Sequence, residues 1–341
     1  MLKLSLWQCC SLMTCRVRGF VDVSVIIPAY QACLTVERAL ESIALQTLKP
    51  KEVILVDDGS KDGTADIARN FASNMEGISL RVFCQKNLGA GAARNKAIGE
   101  AQYNLVAFLD ADDEWLVTKI QRSIEVFKET NSDLVAHDFI AIDRGNEIRM
   151  HCAHHFKKIY DPIAIVFLRG NIANTTVLAK RDKIIELGGF DESLKAGQDY
   201  DLWLRFVLHN GVKFHVFEEA LTKYYITSGS ISSNVFCYRK YATKILEKNA
   251  FVLSSRCKGG FLIVLTRVAI IHMQVVKKFL AQNRIGPSLM SLVYAPLLVF
   301  EICGVIYKKP LVWLWIATIT MFYCLQFKEY ITPLTRILGL R

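Results

Sequence analysis

The sequence has ten cysteines but no CxxC pair, a spacing that fits neither a zinc site nor a disulfide framework. They are read as reduced, mostly buried thiols of a cytosolic compartment. His151, Cys152, His154 and His155 cluster, which reads as loop or strand-edge composition rather than a metal centre. No Gly-Lys-Ser/Thr follows the small-residue run Gly89-Ala90-Gly91, so a Walker-type phosphate loop is excluded. Leu2 to Cys15 is mildly apolar but broken by Ser5, Gln8, Ser11 and Thr14, and no small-residue cleavage site follows. That argues against a secretory signal, and residues 1–20 are read as an N-terminal extension.

Acidic residues almost vanish from the last third. From Tyr238 onward there are 15 basic residues against three acidic ones, Glu247, Glu301 and Glu329, whereas Met1 to Cys237 holds 27 basic and 29 acidic. A near-neutral body with a basic, apolar tail suits a membrane surface, and the absence of any nucleic-acid-binding motif argues against nucleic acid as a partner. Arg256, Arg267 and Lys278 recur every eleven positions, which predicts a basic amphipathic helix lying in a membrane interface. Two apolar stretches follow, Leu289 to Tyr307 and Leu311 to Phe327, each near the minimum of roughly 17–20 residues for a membrane span. Lys308 and Lys309 between them would sit outside if both crossed, so an in-plane or re-entrant hairpin rivals two true spans.

The body reads as alternating strands and helices. Val23 to Ile27 is, apart from Ser24, an apolar and β-branched run closed by Pro28, as expected of a buried parallel strand. Thr35 to Gln46 has helical spacing through Val36, Ala39, Leu40, Ile43 and Ala44. Glu52 to Val56, Leu80 to Phe83 and Leu105 to Leu109 read as further strands, with helices over Thr64 to Phe71 and Ala90 to Ala101. The alternation predicts an α/β fold with a mainly parallel sheet and right-handed crossovers. Ligands bind such sheets at the carboxyl ends of strands, and those ends carry Pro28-Ala29-Tyr30, Asp57-Asp58 and Asp110-Ala111-Asp112.

Each motif has a bland reading beside its chemical one. Asp110, Asp112 and Asp113 could hold Mg²⁺ or Mn²⁺ on a nucleotide diphosphate, or could be one more acidic turn. Asp58 could accept a base N–H or a ribose hydroxyl, while Asp57 to Thr64 is also sound turn and helix-cap chemistry. Arg94, near the start of a helix, could meet a phosphate.

Together the motifs resemble family-2 glycosyltransferases of the GT-A fold. The match runs in order from Val23-Ser24-Val25-Ile26-Ile27-Pro28-Ala29-Tyr30 through Ser42, Gln46-Thr47, Val56-Asp57-Asp58-Gly59-Ser60, Asp62-Gly63-Thr64, Asn87-Leu88-Gly89 and Ala93-Arg94-Asn95. It continues through Leu109-Asp110-Ala111-Asp112-Asp113-Glu114-Trp115, Gly188-Gly189-Phe190-Asp191-Glu192 and Gln198 to Arg205. The resemblance implies that Pro28, Ala29 and Tyr30 border the donor's base and that Asp58 hydrogen-bonds it. Arg94 would lie near the donor, Asp110 would face its ribose, Asp112 would hold the metal, and Asp199 would be the catalytic base.

Two positions depart from the family's pattern. Gln198 stands where a Glu usually precedes the base, and Tyr224-Tyr225-Ile226-Thr227 replaces a Tyr-Arg-x-His, removing a histidine metal ligand. The implied activity is inverting transfer of a sugar from a nucleotide-sugar donor, a UDP-sugar by expectation. The acceptor would be a surface-glycan or lipid-linked hydroxyl of the lipopolysaccharide, O-antigen or capsule type, met at the cytoplasmic face of the inner membrane. A polyprenyl-phosphate glycosyltransferase is the alternative, and a non-catalytic nucleotide-sugar-binding component of a glycan-assembly complex a third. The expected organisation is an extension over 1–20, a GT-A catalytic domain over 21–235 and a helical membrane-associated tail over 236–341.

Overall fold

The computed structural model describes residues 19–158, 161–170, 172–226, 235–256 and 260–281. Two compact units emerge, one running to Val166 and from Gly170 to Ser228, the other comprising Phe167–Arg169 and the chain from Gly229.

The first unit opens with β1 (Gly19–Ala29), α1 (Val36–Ala44), β2 (Leu48–Asp57), α2 (Thr64–Asn70), β3 (Ser79–Cys84), α3 (Ala90–Glu100) and β4 (Leu105–Phe108). Next come β5 (Glu114–Trp115), α4 (Lys119–Glu129), β6 (Leu134–His137), β7 (Phe139–Asp143), β8 (Asn146–Met150), α5 (Cys152–Lys158) and α6 (Pro162–Arg169), whose last three residues belong to the second unit. It ends with β9 (Leu178–Lys180), α7 (Arg181–Glu186), α8 (Gln198–Leu208), β10 (Phe214–Phe217) and β11 (Thr222–Tyr225).

The large sheet has the order β10-β6-β9-β4-β1-β2-β3. Strands β4, β1, β2 and β3 are parallel neighbours, and β9 alone runs antiparallel to its neighbours β4 and β6. The predicted mainly parallel α/β fold is therefore present. Its first four strands come from the runs read in sequence: those in β1, β2 and β4 are largely buried and are apolar except for Ser24 and Glu52, which hydrogen-bond each other at 2.6 Å, while β3 is only half-buried. Helix α1 lays Val36, Ala39, Leu40 and Ile43 against the sheet, the face its spacing predicts.

The smaller sheet, β5-β11-β7-β8, is less regular: β11 runs antiparallel to β5 and parallel to β7. It matters for the site because β5 begins right after Asp113, so β11 is hydrogen-bonded beside the acidic turn.

In the second unit, α9 (Val235–Arg256) and α10 (Gly260–Ala281) pack together, with Val235 and Val275 buried and Tyr238 donating to Gln274. One expectation fails here. Arg267 does not lie on an outward basic face; it is buried and donates to the Leu168 carbonyl at 2.8 Å. An eleven-residue recurrence places residues on one side of a helix, but packing decides which side faces out. No described helix is long and apolar enough to cross a membrane. The stretches Leu289 to Tyr307 and Leu311 to Phe327, Thr227, and residues 1–18 lie outside the described residues.

Candidate active site

The carboxyl edge of the large sheet gathers the loops the sequence singled out. Ala29 is buried at the end of β1, and its carbonyl accepts the Asp58 amide at 2.8 Å, while Tyr30 beyond it is 54 % exposed. The loop after Tyr30 turns through Gln31 at φ +51° and is tied to the loop after β2. The ties run from the amides of Gln31 to Ser60 Oγ (2.9 Å), Ala32 to Thr64 Oγ1 (2.9 Å) and Cys33 to Asp62 Oδ2 (3.0 Å). Such a double loop leaves an exposed aromatic face above a rigid backbone, a suitable border for a flat base.

Asp57 and Asp58 divide the two readings between them. Asp57 Oδ1 accepts from the Ser60 amide and hydroxyl, which is turn chemistry. Asp58 is 3 % exposed and receives Gln85 Nε2 (2.8 Å), the Leu88 amide (2.9 Å) and the Gly89 amide (2.8 Å). It therefore organises the loop that leads into α3. Three of the roughly four acceptor sites of a carboxylate are taken, which leaves one for a ligand.

Arg94 is the centre of the charge arrangement. It is 7 % exposed, donates to Asp110 Oδ1 at 2.7 Å and lies 5.4 Å from the centroid of the Phe190 ring. Burial works against its charge, but Asp110, Asp199 and Asp112 together outweigh burial and raise its pKa. Three predicted carboxylates thus surround one predicted cation. The Asp112 carboxyl is pushed up by burial and by Asp110, and makes no ion pair among the described residues. Burial likewise raises Asp199, with Arg94 and the first-turn amides of α8 opposing it.

Packing fixes Asp199. Phe108, Phe190 and Trp203 meet edge to face with centroids 5.6–6.1 Å apart, clamping α8 to β4. Asn95 pins the Gly188-Gly189-Phe190 turn, its Nδ2 donating to the Phe190 carbonyl and its Oδ1 accepting the Phe190 amide. Gln198 is buried and donates to the Leu194 carbonyl at 2.7 Å, a bond an ionised glutamate could not make.

Sequence reasoning missed Arg38 altogether and did not foresee how Asp113, Tyr224 and Tyr225 meet beside it. Asp113, grouped in sequence with the possible metal ligands, is 1 % exposed and accepts the Tyr225 amide at 3.0 Å. Burial, Asp110 and Asp112 hold its carboxyl well above the usual range. The Tyr224 phenol is raised by burial and then by Asp113, Asp110, Asp199 and Asp112, which places it among the same carboxylates. Arg38 stacks on Tyr225, 3.7 Å from its ring centroid. The pairing of β11 with β5 brings these residues together over more than 100 positions, and no local pattern signals that.

Among the described residues no group of three His, Cys, Asp or Glu side chains could hold a metal, and the His151 cluster forms none. The described cysteines make no disulfide, and burial pushes the Cys152 thiol up to about 12.

Residues 24–181 match the glycosyl transferase family 2 profile. A relative from Bacillus subtilis, named for teichuronic acid biosynthesis (TuaG), is 30 % identical over 249 residues, 69 % of this chain and 92 % of its own. The chain belongs to glycosyl transferase family 2. A second family member, the Escherichia coli UDP-Glc:alpha-D-GlcNAc-diphosphoundecaprenol beta-1,3-glucosyltransferase WfaP, is 33 % identical over 219 residues, 63 % of this chain and 81 % of its own. The crystal structure of Staphylococcus aureus TarS 1-349 superposes with a TM-score of 0.61 at 18 % identity, covering 84 % of this chain and 83 % of that one. The fold is GT-A, and the protein is a glycosyltransferase.

Proposed function

We propose that this glycosyltransferase moves a sugar with inversion from a UDP-sugar to a hydroxyl of a lipid-linked or surface-glycan acceptor at the cytoplasmic face of a membrane. The observation that carries the reading is the gathering of Asp110, Asp112 and Asp199 around Arg94 at the carboxyl edge of the large sheet. WfaP, named for a UDP-Glc donor and a lipid-linked acceptor, supports the substrate class. The basic, apolar composition after Tyr238 supports the membrane.

Asp199 takes the proton of the acceptor hydroxyl. Its raised pKa moves it toward working pH, where a base transfers protons best. The hydroxyl oxygen bonds to the anomeric carbon from the far side as the bond to the diphosphate breaks, and that electron pair leaves with UDP. Pro28, Ala29 and Tyr30 border the base, and the remaining acceptor site of Asp58 takes its N–H. Asp110, held by Arg94, faces the ribose.

The donor set fits Mg²⁺ or Mn²⁺. Carboxylate oxygens are hard ligands, and Mg²⁺ commonly rests on one or two carboxylates plus substrate phosphates rather than on an all-protein cage. Asp112 would hold such an ion, which supplies charge neutralisation for the departing diphosphate.

The test is UDP or GDP release with a panel of UDP- and GDP-sugars, a lipid-linked glycan or polyprenyl phosphate, and Asp112→Ala as control. Transfer to the glycan that Asp112→Ala abolishes is expected. Transfer to polyprenyl phosphate alone would overturn the acceptor class, and undiminished turnover of the variant would remove the metal role.

A further inference from the structure

Arg94 is poorly placed to meet the donor's diphosphate. It is buried and already engaged by Asp110 at 2.7 Å. A second guanidinium stands beside the same turn. Arg38 lies in the first turn of α1, half-buried at the carboxyl edge of the sheet. It donates from Nη2 to the carbonyl of Asp112 at 2.5 Å and lies flat on the Tyr225 ring.

Tyr225 is itself fixed at both ends, its amide on Asp113 Oδ1 and its hydroxyl on Glu114 Oε2, each at 3.0 Å. The platform therefore holds the guanidinium plane in one orientation. Among the described residues Arg38 makes no ion pair with a carboxylate, and its Nε is buried without an acceptor. The fork is preorganised, and its charge is felt by the Asp112 carboxyl without an ion pair. Tyr225 occupies the position that reads Arg in the family's Tyr-Arg-x-His; here a guanidinium comes from α1 and stacks on the residue standing in that place.

We propose that Arg38 receives the diphosphate of the donor and neutralises it as it leaves, with Tyr225 as its positioning platform. The inference rests on the nucleotide-sugar reading above and assigns the phosphate contact to a residue outside the family's motifs. A planar fork suits phosphate oxygens better than a lysine ammonium does, and stacking on an aromatic face is open to it.

The experiment measures Arg38→Met, Arg38→Lys, Tyr225→Phe and Tyr225→Ala by calorimetry in Mg²⁺. The probes are whichever of UDP and GDP the wild type binds more tightly, and the matching nucleoside. Arg38→Met should weaken the diphosphate by about tenfold or more, the loss of a charge-assisted bond, and leave the nucleoside unchanged. Arg38→Lys should fall between, Tyr225→Phe should match the wild type because the ring face remains, and Tyr225→Ala should weaken only the diphosphate. Diphosphate and nucleoside falling together in Arg38→Met would mark a fold defect and overturn the assignment, as would unchanged diphosphate affinity. A wild type that binds neither nucleotide would overturn the donor reading and this inference with it.

Discussion

Arg94 reaches Asp110 from inside the protein: the ion pair closes at 2.7 Å between a buried guanidinium and a carboxylate on the open side of the turn. The asymmetry makes the two partners unequal. Removing the carboxylate strands a buried cation, and removing the cation leaves Asp110, Asp112 and Asp199 to repel one another. Breaking a buried pair costs about 3–5 kcal/mol, so Arg94→Met should lose transfer and lower the urea midpoint by a matching amount. Asp110→Asn should cost at least as much stability, since it leaves the buried guanidinium without its ion-pair partner, whereas Arg94→Met leaves a partly solvated carboxylate. An Arg94→Met protein as stable as the wild type would mean that the pair does not form in solution.

Gly189 has φ +69°, and a Cβ there would come within 2.6 Å of Asn95 Oδ1. Two penalties therefore meet at Gly189→Ala, backbone strain and a clash with the side chain that pins Phe190. A loss of about 1–3 kcal/mol is expected. In an Asn95→Ala background the clash disappears and only the strain remains, so the glycine substitution should cost less there. Chemical denaturation of the four proteins of this cycle gives the coupling, and zero coupling would show that Asn95 swings away freely.

How far the sequence foretells this site depends on the reach of each contact. Val23 to Ile27, Glu52 to Val56 and Leu105 to Leu109 announce themselves because a strand covered on both faces is almost wholly apolar, the buried exceptions Ser24 and Glu52 being hydrogen-bonded to each other. Arg94, Asp110 and Asp112 could be singled out because motifs at strand and helix ends carry chemistry, and Asp199 through the family resemblance alone. Asp58 was legible as a site residue, but not as the clasp of the 85–89 loop, since a side chain's partners are not written in its spacing. Arg38 and Tyr225 were illegible as a pair, because it takes both the packing of α1 on β5 and the β5–β11 pairing to bring them together. The outward basic face expected of Arg267 failed for a similar reason: periodicity names a side of a helix, and packing chooses its neighbour.

Lys119 is wholly buried, its amine 4.1 Å from the Trp115 ring centroid with one long bond, 3.4 Å, to the Val177 carbonyl. Burial pulls its pKa down to about 7. In the unfolded chain it titrates near the ordinary lysine value, about 10.4. Between these values the unfolded chain holds a proton that the folded chain has released, so this group's contribution to stability rises with pH across that window. Lys119→Met removes the titration and should flatten the slope, with a higher melting temperature than the wild type at pH 7 and a smaller difference at pH ~9.5. A wild type less sensitive to pH than the variant would show that the amine stays charged, held by the Trp115 face.

Asp199→Asn tests the base directly. Asn keeps the size and one acceptor but cannot take a proton. Asp199 is not the N-cap of α8, which is Gly197, but it lies in the first turn and its carboxyl meets amides there, for which Asn keeps an acceptor. The substitution should therefore leave the fold intact. Loss of a general base costs about 10²–10⁴ in rate, so transfer should fall by that factor. Donor affinity should hold, since the base border and Asp112 are untouched. The wild type supplies a second readout: with the Asp199 carboxyl raised by burial, activity should fall away on acidification above the ordinary carboxylate range. That limb should vanish from any residual activity of the variant. Gln198→Glu adds a carboxylate beside Asp199 and removes the bond to Leu194, so it should push the same limb toward higher pH. If Asp199→Asn transfers within a few-fold of the wild type and keeps its acid limb, another group takes the proton, and Asp191 is the next carboxylate to substitute.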